Sequence, residues 1–526
     1  MYSQNPYLYP KIDNSDNWLI SEIFLTQCSN HPEKKIISFV NGPEWTFHEL
    51  KIKVYEKANI LKGLNLNLGD TITVMIDDPK EFIPYWLASS LVGVMFVALN
   101  TALRGSVLVH QIKVAKSKFV IVDETYFQEV KELTEAKITN VTTLSCLNMI
   151  SKELISENEI YKGKPSDEVC AMFTSGTSGP SKGVLMPNAH CVLFAVGTID
   201  NYNLNHNHIF YISLPLFHAN GLFMQLLACI MTGAKAVIRN RFSASNWLSD
   251  IRKYSVTHTN MLGAIAAFVV AQPPSKFDKD HKLILIGSAP LPYEPEKIFR
   301  DRFGVKDVLP LYGMTEVNIP IYGLKNEEGY GKCGKVYEKY FEVEIRDTEK
   351  DISVSDGQVG EIMVRPKQPF GFMSGYMGMP EKTLETWRNF WFHTGDAGIR
   401  EPSGYFTFVD RIKDCIRRRG ENISSYEVEQ AFLEIGYITE AAAYAIPAKG
   451  GEGMEDEVMV ALMLNENHII DFSELLKKAK INLAKFAIPK YIRIMNEFPK
   501  TQTGKIQKNK LRDEGVTLDT WQNDNM

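Results

Sequence analysis

From residue 71 to residue 289 the chain repeats one pattern: a short apolar run, a stretch long enough for a helix, then another apolar run. The runs are TITVMI at 71 to 76, KFVIV at 118 to 122, HIFYISL at 208 to 214, KAVI at 235 to 238 and LILIGSA at 283 to 289. Strands separated by helix-length segments are the signature of α/β layers built on parallel sheet. Ahead of them, Thr46-Phe-His-Glu49 forms a capping-box pattern before Leu50, Val54, Ala58 and Leu61 at helical spacing, which predicts a helix there.

From about residue 330 the rhythm changes to shorter strands, FEVEIRD and VGEIMVRP, with turn residues between them and little room for crossover helices. A mainly β subdomain is expected at roughly 330 to 410. Beyond Arg411 the order is helix near 425 to 435, strand near 441 to 446, strand EVMVALML, helix near 472 to 484 and strand YIRIM, which fits a small α+β domain. At 526 residues the chain is too long for one core, so the expected fold class is α/β with two domains. A large N-terminal domain of layered α/β subdomains plus the β-rich subdomain spans 1 to 410, and a small, mobile α+β domain spans 415 to 526.

The formal net charge of −5 provides no protein-wide basic field, which argues against nucleic acid as a partner. Seven scattered cysteines without metal spacing suit reduced thiols in a cytoplasmic protein, and the polar N-terminus lacks the order of a secretory signal. Residues 82 to 103 and 214 to 234 contain no Lys, Arg, Asp or Glu. Each is interrupted by proline, glycine and polar residues, so buried helix plus strand or loop is expected in place of a membrane span.

Chemistry concentrates first in Phe173-Thr-Ser-Gly-Thr-Ser-Gly-Pro-Ser-Lys-Gly183, placed between the apolar strand VCAMF and a stretch expected to be helical. Glycines let the backbone curl so that successive N–H groups and hydroxyls of Thr174, Ser175, Gly176, Thr177, Ser178 and Gly179 face one anion, and Lys182 adds a point charge. Ser181 precedes the lysine where a Walker A loop requires glycine, so this is a different phosphate loop.

With that loop the chain resembles the adenylate-forming superfamily of acyl- and aryl-CoA synthetases, luciferases and peptide-synthetase adenylation domains, whose loop reads TSGTTGxPKG. Ser178 keeps the hydroxyl of the family's second Thr. Ser181 replaces a proline and is expected to leave the loop looser. Further motifs follow in family order. Leu214-Pro-Leu-Phe-His-Ala-Asn-Gly221 resembles the segment that places a gating residue, His218, beside the acyl group.

The resemblance makes Gly287, Ser288, Ala289 and Pro290 the adenine-side loop. In Tyr312-Gly313-Met314-Thr315-Glu316 it implies that Tyr312 stacks on adenine, Thr315 contacts the α-phosphate and Glu316 holds Mg²⁺. A hard cation between phosphate oxygens favours a carboxylate. Asp396, in WFHTGD, corresponds to the acceptor of both ribose hydroxyls, and an ionised carboxylate suits a vicinal diol because it only accepts. Arg411 corresponds to a ribose contact and Lys413 to the hinge, within 411 to 414. Arg419 and Gly420 fall where the family lines the pantetheine tunnel, and the run Arg417, Arg418, Arg419 adds charge that could meet CoA phosphates. Lys505, in Phe498-Pro-Lys-Thr-Gln-Thr-Gly-Lys505, falls on the catalytic lysine.

The resemblance therefore implies an AMP-forming acid–CoA ligase using ATP, Mg²⁺ and coenzyme A on a small-molecule carboxylic acid. The wording VTHTNMLGAIAAFVVAQPP is most similar to the crotonobetaine/carnitine–CoA ligases, with short, medium or longer fatty acids as alternatives. An amino-acid adenylation domain would place an Asp early in the 214 to 221 segment, and LPLFHANG has none. No motif demands luciferase-like oxygenation. A nucleotide-binding protein without ligase activity would tolerate loss of Lys505 or Glu316, and both are present.

Overall fold

Two large sheets carry the apolar runs in the computed structural model, which describes residues 5–103, 105–134, 140–147, 155–174, 181–289, 291, 293–412, 416–418, 421–423, 425–447, 456–465, 470–481, 483, 487–501 and 504–523. The first has seven strands in the order 375–376, 182–187, 168–174, 95–98, 71–75, 119–122, 140–143. The second has nine, in the order 335–336, 318–322, 307–314, 285–289, 258–262, 209–212, 235–238, 35–39, 44–46. Both are parallel through the middle, as the helix-length spacing predicts. They become antiparallel where a few residues join two strands, at 174 to 182 and at 314 to 318, because so short a link cannot cross over.

One helix, Asn188–Tyr202, is buried over all but its Asp200 and Asn201 positions and packs on strand Asn318–Tyr322 and on the segment Asn220–Leu227. Side chains of both sheets join it in one continuous core. It ends at Asn203, which adopts a left-handed conformation that closes the last turn.

The capping box is made in full: Thr46 Oγ1 accepts from Glu49 N, and the Glu49 carboxylate accepts from Thr46 N. Of the two charge-free stretches, the first is the C-terminal part of a helix, Pro79–Val92, followed by strand Met95–Ala98. The second holds a π-helical segment, Asn220–Leu227, running into the helix Ala228–Thr232. No described helix is long and apolar enough to cross a membrane.

The phosphate-loop segment departs from expectation, because strand Lys182–Pro187 follows it and the helix begins only at Asn188. Val184, Met186 and Pro187 are buried there, and the strand pairs antiparallel with Glu168–Thr174, Thr174 opposite Lys182.

Beyond residue 340 the strands Phe341–Arg346, Val359–Pro366, Trp391–Arg400 and Phe406–Arg411 form an antiparallel sheet. FEVEIR alternates buried and half-buried residues as a one-sided strand must. The last segment has its own four-stranded sheet, 438–447, 456–464, 491–494 and 521–522, with separate cores on its two faces. Its helix expected near 472 to 484 stops at Ala479, where apolar periodicity gives out: Ile481 is 81% exposed.

Candidate active site

Ligands of open α/β sheets bind beyond the carboxyl ends of the strands. Here those ends are Leu262, Ala289 and Met314. Tyr312 lies near the end of strand Asp307–Met314, and Thr315 and Glu316 occupy the turn to Asn318. The turn is tight enough that a Cβ at Gly313 would lie 2.2 Å from Asn318 O. Only glycine fits there.

His190 on the central helix fastens this turn. Its Nε2 lies 2.8 Å from Thr315 O and its Nδ1 2.8 Å from Gly371 O, while Asn318 Nδ2 donates to His190 O at 3.0 Å. Burial lowers the His190 pKa to about 4, the two carbonyls opposing it. Glu316 is 4% exposed and accepts at Oε1 from Tyr376 Oη at 3.0 Å. Burial first and the Glu316 charge second raise the Tyr376 pKa and keep the phenol a donor. The Lys182 ammonium sits 4.1 Å from the centre of the same ring. Tyr376 thus joins the metal candidate to the phosphate-loop lysine, a link the sequence does not announce.

Asp396 is 4% exposed, accepts at Oδ2 from Tyr312 Oη at 2.7 Å and pairs at Oδ1 with Arg411 Nε at 2.8 Å. The local chain is fixed by Glu361, which is buried and accepts from Gly395 N at 2.9 Å, and by Thr394 Oγ1, which accepts from Asp396 N at 3.1 Å. Burial raises the Asp396 pKa above 3.8, with Arg411 the largest opposing influence.

Of the phosphate loop, Thr174 and Lys182 are described, whereas Ser175, Gly176, Thr177, Ser178 and Gly179 lie outside the described residues, as do Pro290, Lys413, Arg419 and Gly420. At the described end of the loop, His110 Nε2 lies 2.9 Å from the Ser181 carbonyl and Gln111 Nε2 donates to the Ser181 hydroxyl at 3.0 Å, a bond a proline side chain lacks, so Ser181 is tied to the helix Gly105–Ala115. Gly287 and Ala289 flank Ser288, whose side chain is buried, and Ala289 is half-buried at the strand end. Within the arginine run, Arg418 is buried, pairs with Glu457 at 2.6 Å and donates to Ile488 O at 3.0 Å, so this one member is committed within the C-terminal segment.

Lys505 sits on a turn in which Thr501 N donates to Lys505 O at 2.7 Å and Lys505 N to Thr501 Oγ1 at 3.1 Å. From there it reaches the charges of the large segment. Desolvation lowers its pKa, Arg411 lowers it further, and Asp396 raises it. His218 is exposed to the cleft yet enclosed by protein at longer range. That desolvation, with the Lys505 cation second, lowers its pKa to about 4 and leaves it neutral at pH 7. Tyr312, Glu316, Asp396, Arg411, His218 and Lys505 are therefore linked by a hydrogen bond, an ion pair and mutual electrostatic influence.

Among the described residues no group of three or more His, Cys, Asp or Glu could hold a metal ion. One buried carboxylate, Glu316, fits a Mg²⁺ that takes most of its ligands from phosphate and water.

The profile described as AMP-binding enzyme matches residues 24–377, and that described as AMP-binding enzyme C-terminal domain matches residues 427–505. Long-chain fatty acid transport protein 6 of Mus musculus is 26% identical, covering 94% of this chain and 84% of its own. A crotonobetaine/carnitine–CoA ligase of Salmonella paratyphi A is 25% identical, covering 89% and 93%. The structure of o-succinylbenzoate CoA synthetase from Bacillus subtilis with ATP and magnesium ion superposes with a TM-score of 0.83 at 26% identity, covering 95% of this chain and 99% of that one.

Proposed function

We propose that this chain, which belongs to the AMP-binding enzyme family and is an AMP-forming acyl-CoA synthetase, activates a crotonobetaine- or carnitine-like acid, or another short- to medium-chain acid. The observation that carries the site assignment is the convergence of Lys505, from the C-terminal segment, on Asp396, Arg411 and His218. A carboxylate is a poor acyl donor, and adenylation gives it a leaving group.

Lys182 and the loop around it hold the β- and γ-phosphates of ATP, Thr315 the α-phosphate, Gly287 to Pro290 and Tyr312 the adenine, and Asp396 and Arg411 the ribose. Glu316 holds Mg²⁺, which would neutralise phosphate charge as pyrophosphate leaves. The Lys505 ammonium lies between the two anionic reactants and offsets their repulsion. A carboxylate oxygen attacks the α-phosphorus, the bond to the bridging oxygen breaks, and pyrophosphate departs. The CoA thiolate then attacks the acyl carbon and AMP leaves with that carboxylate oxygen. His218, neutral at pH 7, borders the acyl group.

In this reading residues 1 to 410 form the adenylation domain, 411 to 414 the hinge with Lys413 as pivot, and 415 to 526 a lid. Lid rotation withdraws Lys505 and brings Arg419 and Gly420 to CoA. The free thiols of Cys28, Cys146, Cys170, Cys191, Cys229 and Cys333 support a cytoplasmic setting. Pyrophosphate release from MgATP, measured across a panel of acids with and without CoA, tests the reading. Acid-dependent release, with CoA ester formed only when CoA is present, is expected. Equal release without any acid would refute it.

The ribose assignment carries its own prediction. Asp396→Asn keeps an acceptor for Tyr312 but loses the charge, so the Kd for ATP and AMP rises about tenfold, in line with loss of a charge-assisted hydrogen bond. Stability moves the other way. A folded pKa above the unfolded 3.8 means that Asp396 favours folding below that value and loses this contribution as pH rises through the folded pKa. The Asn variant lacks that loss, so its melting temperature should gain on the wild type between pH 4 and pH 7. A lower melting temperature at pH 7 than at pH 4, relative to wild type, would contradict it.

A further inference from the structure

Two residues past His218, Asn220 joins a chain of polar side chains that the adenylation chemistry does not use. Tyr202 Oη donates to Asn260 Oδ1 at 2.9 Å, Asn260 Nδ2 donates to Asn220 Oδ1 at 2.9 Å, and Gln225 Nε2 donates to the same oxygen at 3.0 Å. Tyr202, Asn260 and Gln225 are fully buried, whereas Asn220, two residues past His218, keeps part of its surface. By accepting twice, Asn220 Oδ1 fixes the plane of its amide and turns Nδ2 away from the network. No described residue accepts from that Nδ2. Gln225 Oε1 is likewise buried without a partner among the described residues.

The same network closes the sheet face. Asn260 is the register partner of Gly287, and a Cβ at Gly287 would stand 1.8 Å from Tyr202 Oη and 2.4 Å from Asn260 Oδ1. The hydrogen-bonded pair therefore lies directly on Gly287, two residues before the strand end at Ala289. No methylene chain can run along the sheet through that point unless the pair is broken and its polar atoms stay buried without partners.

We propose, resting on the ligase reading above, that the acid is short and carries an oxygen acceptor beyond its carboxylate, which Asn220 Nδ2 engages. Its carboxylate meets Lys505 and its body passes His218. Its far end meets the amide wall over Gly287, where Nδ2 donates to a hydroxyl, oxo or second carboxylate oxygen. A site built to hydrogen-bond such a group rejects the analogue that lacks it far more strongly than an apolar pocket rejects a change of one methylene.

The test measures kcat/KM for pyrophosphate release with size-matched pairs: 3-hydroxybutanoate against 3-methylbutanoate, and 4-hydroxypentanoate and 4-oxopentanoate against 4-methylpentanoate, with octanoate and palmitate alongside. At least one oxygenated acid should exceed its methyl partner by about tenfold or more, and both long acids should be poorer still. In Asn220→Ala that ratio should fall to about one; a purely structural role for the network would lower both members of a pair and leave the ratio in place. Methyl partners preferred throughout, or palmitate as the best substrate, would overturn the inference while leaving the ligase reading intact. Absence of acid-dependent pyrophosphate with every acid would overturn both.

Discussion

Lys505→Ala is expected to lower acid-dependent adenylation about 1,000-fold while thioester formation from a supplied acyl-adenylate changes little, since removing a preorganised charge aimed at a developing one costs on that order. The lysine is a cation that the C-terminal segment brings to Asp396, Arg411 and His218. In adenylation it stands where two anions must approach; in thioesterification the attacked carbonyl is already neutral. A pH signature accompanies the loss. Desolvation and the nearby Arg411 lower the Lys505 pKa from 10.5, Asp396 opposing, so the ammonium is lost at lower pH than from an ordinary lysine. Adenylation should fall as pH rises through that lowered value, and Lys505→Arg, which stays charged, should abolish this limb whatever its rate at pH 7. Equal loss of both half-reactions in Lys505→Ala would remove the lysine from its assigned role.

Glu316→Gln should be the next most damaging substitution. Glutamine keeps the shape and still accepts from Tyr376 Oη, so His190 and Tyr376 hold the turn as before. What goes is the one carboxylate of the cleft assigned to the metal. Adenylation should drop about 100-fold, and the Mg²⁺ concentration for half-maximal rate should rise about tenfold, whereas the melting temperature without nucleotide should change little. A variant with unchanged Mg²⁺ dependence would mean that the metal is held elsewhere.

The parts of this site legible in the sequence are those whose chemistry sits in short runs. Tyr312 with Thr315 and Glu316, Asp396 with Arg411, and Lys505 each stand in a motif of glycines and charges, and Tyr312 and Arg411 both engage Asp396. The α/β layering was legible for a similar reason, because apolar runs at helix-length spacing leave few alternatives to parallel sheet.

Contacts made across the chain were not legible. His190 is a single imidazole on an apolar helix, and its carbonyl partners lie 125 and 181 residues away. Tyr376 reaches Glu316 over 60 residues and Gln111 reaches Ser181 over 70. Nothing in a local window distinguishes such residues from ordinary core or surface. The amide chain through Asn220 and Asn260 is hidden in the same way, and so is the pairing of Arg418 with Glu457. The strand at 182 to 187 was missed because a glycine-rich loop followed by an apolar stretch reads equally well as the start of a helix.

The central claim is that a carboxylate oxygen attacks the α-phosphorus of ATP. It is tested most directly by supplying an acid labelled with ¹⁸O in its carboxylate, running the complete reaction with CoA, and locating the label by mass spectrometry. The account predicts one ¹⁸O in AMP for each acyl-CoA formed and none in pyrophosphate. Label in inorganic phosphate with ADP as the nucleotide product, or unlabelled AMP, would contradict it.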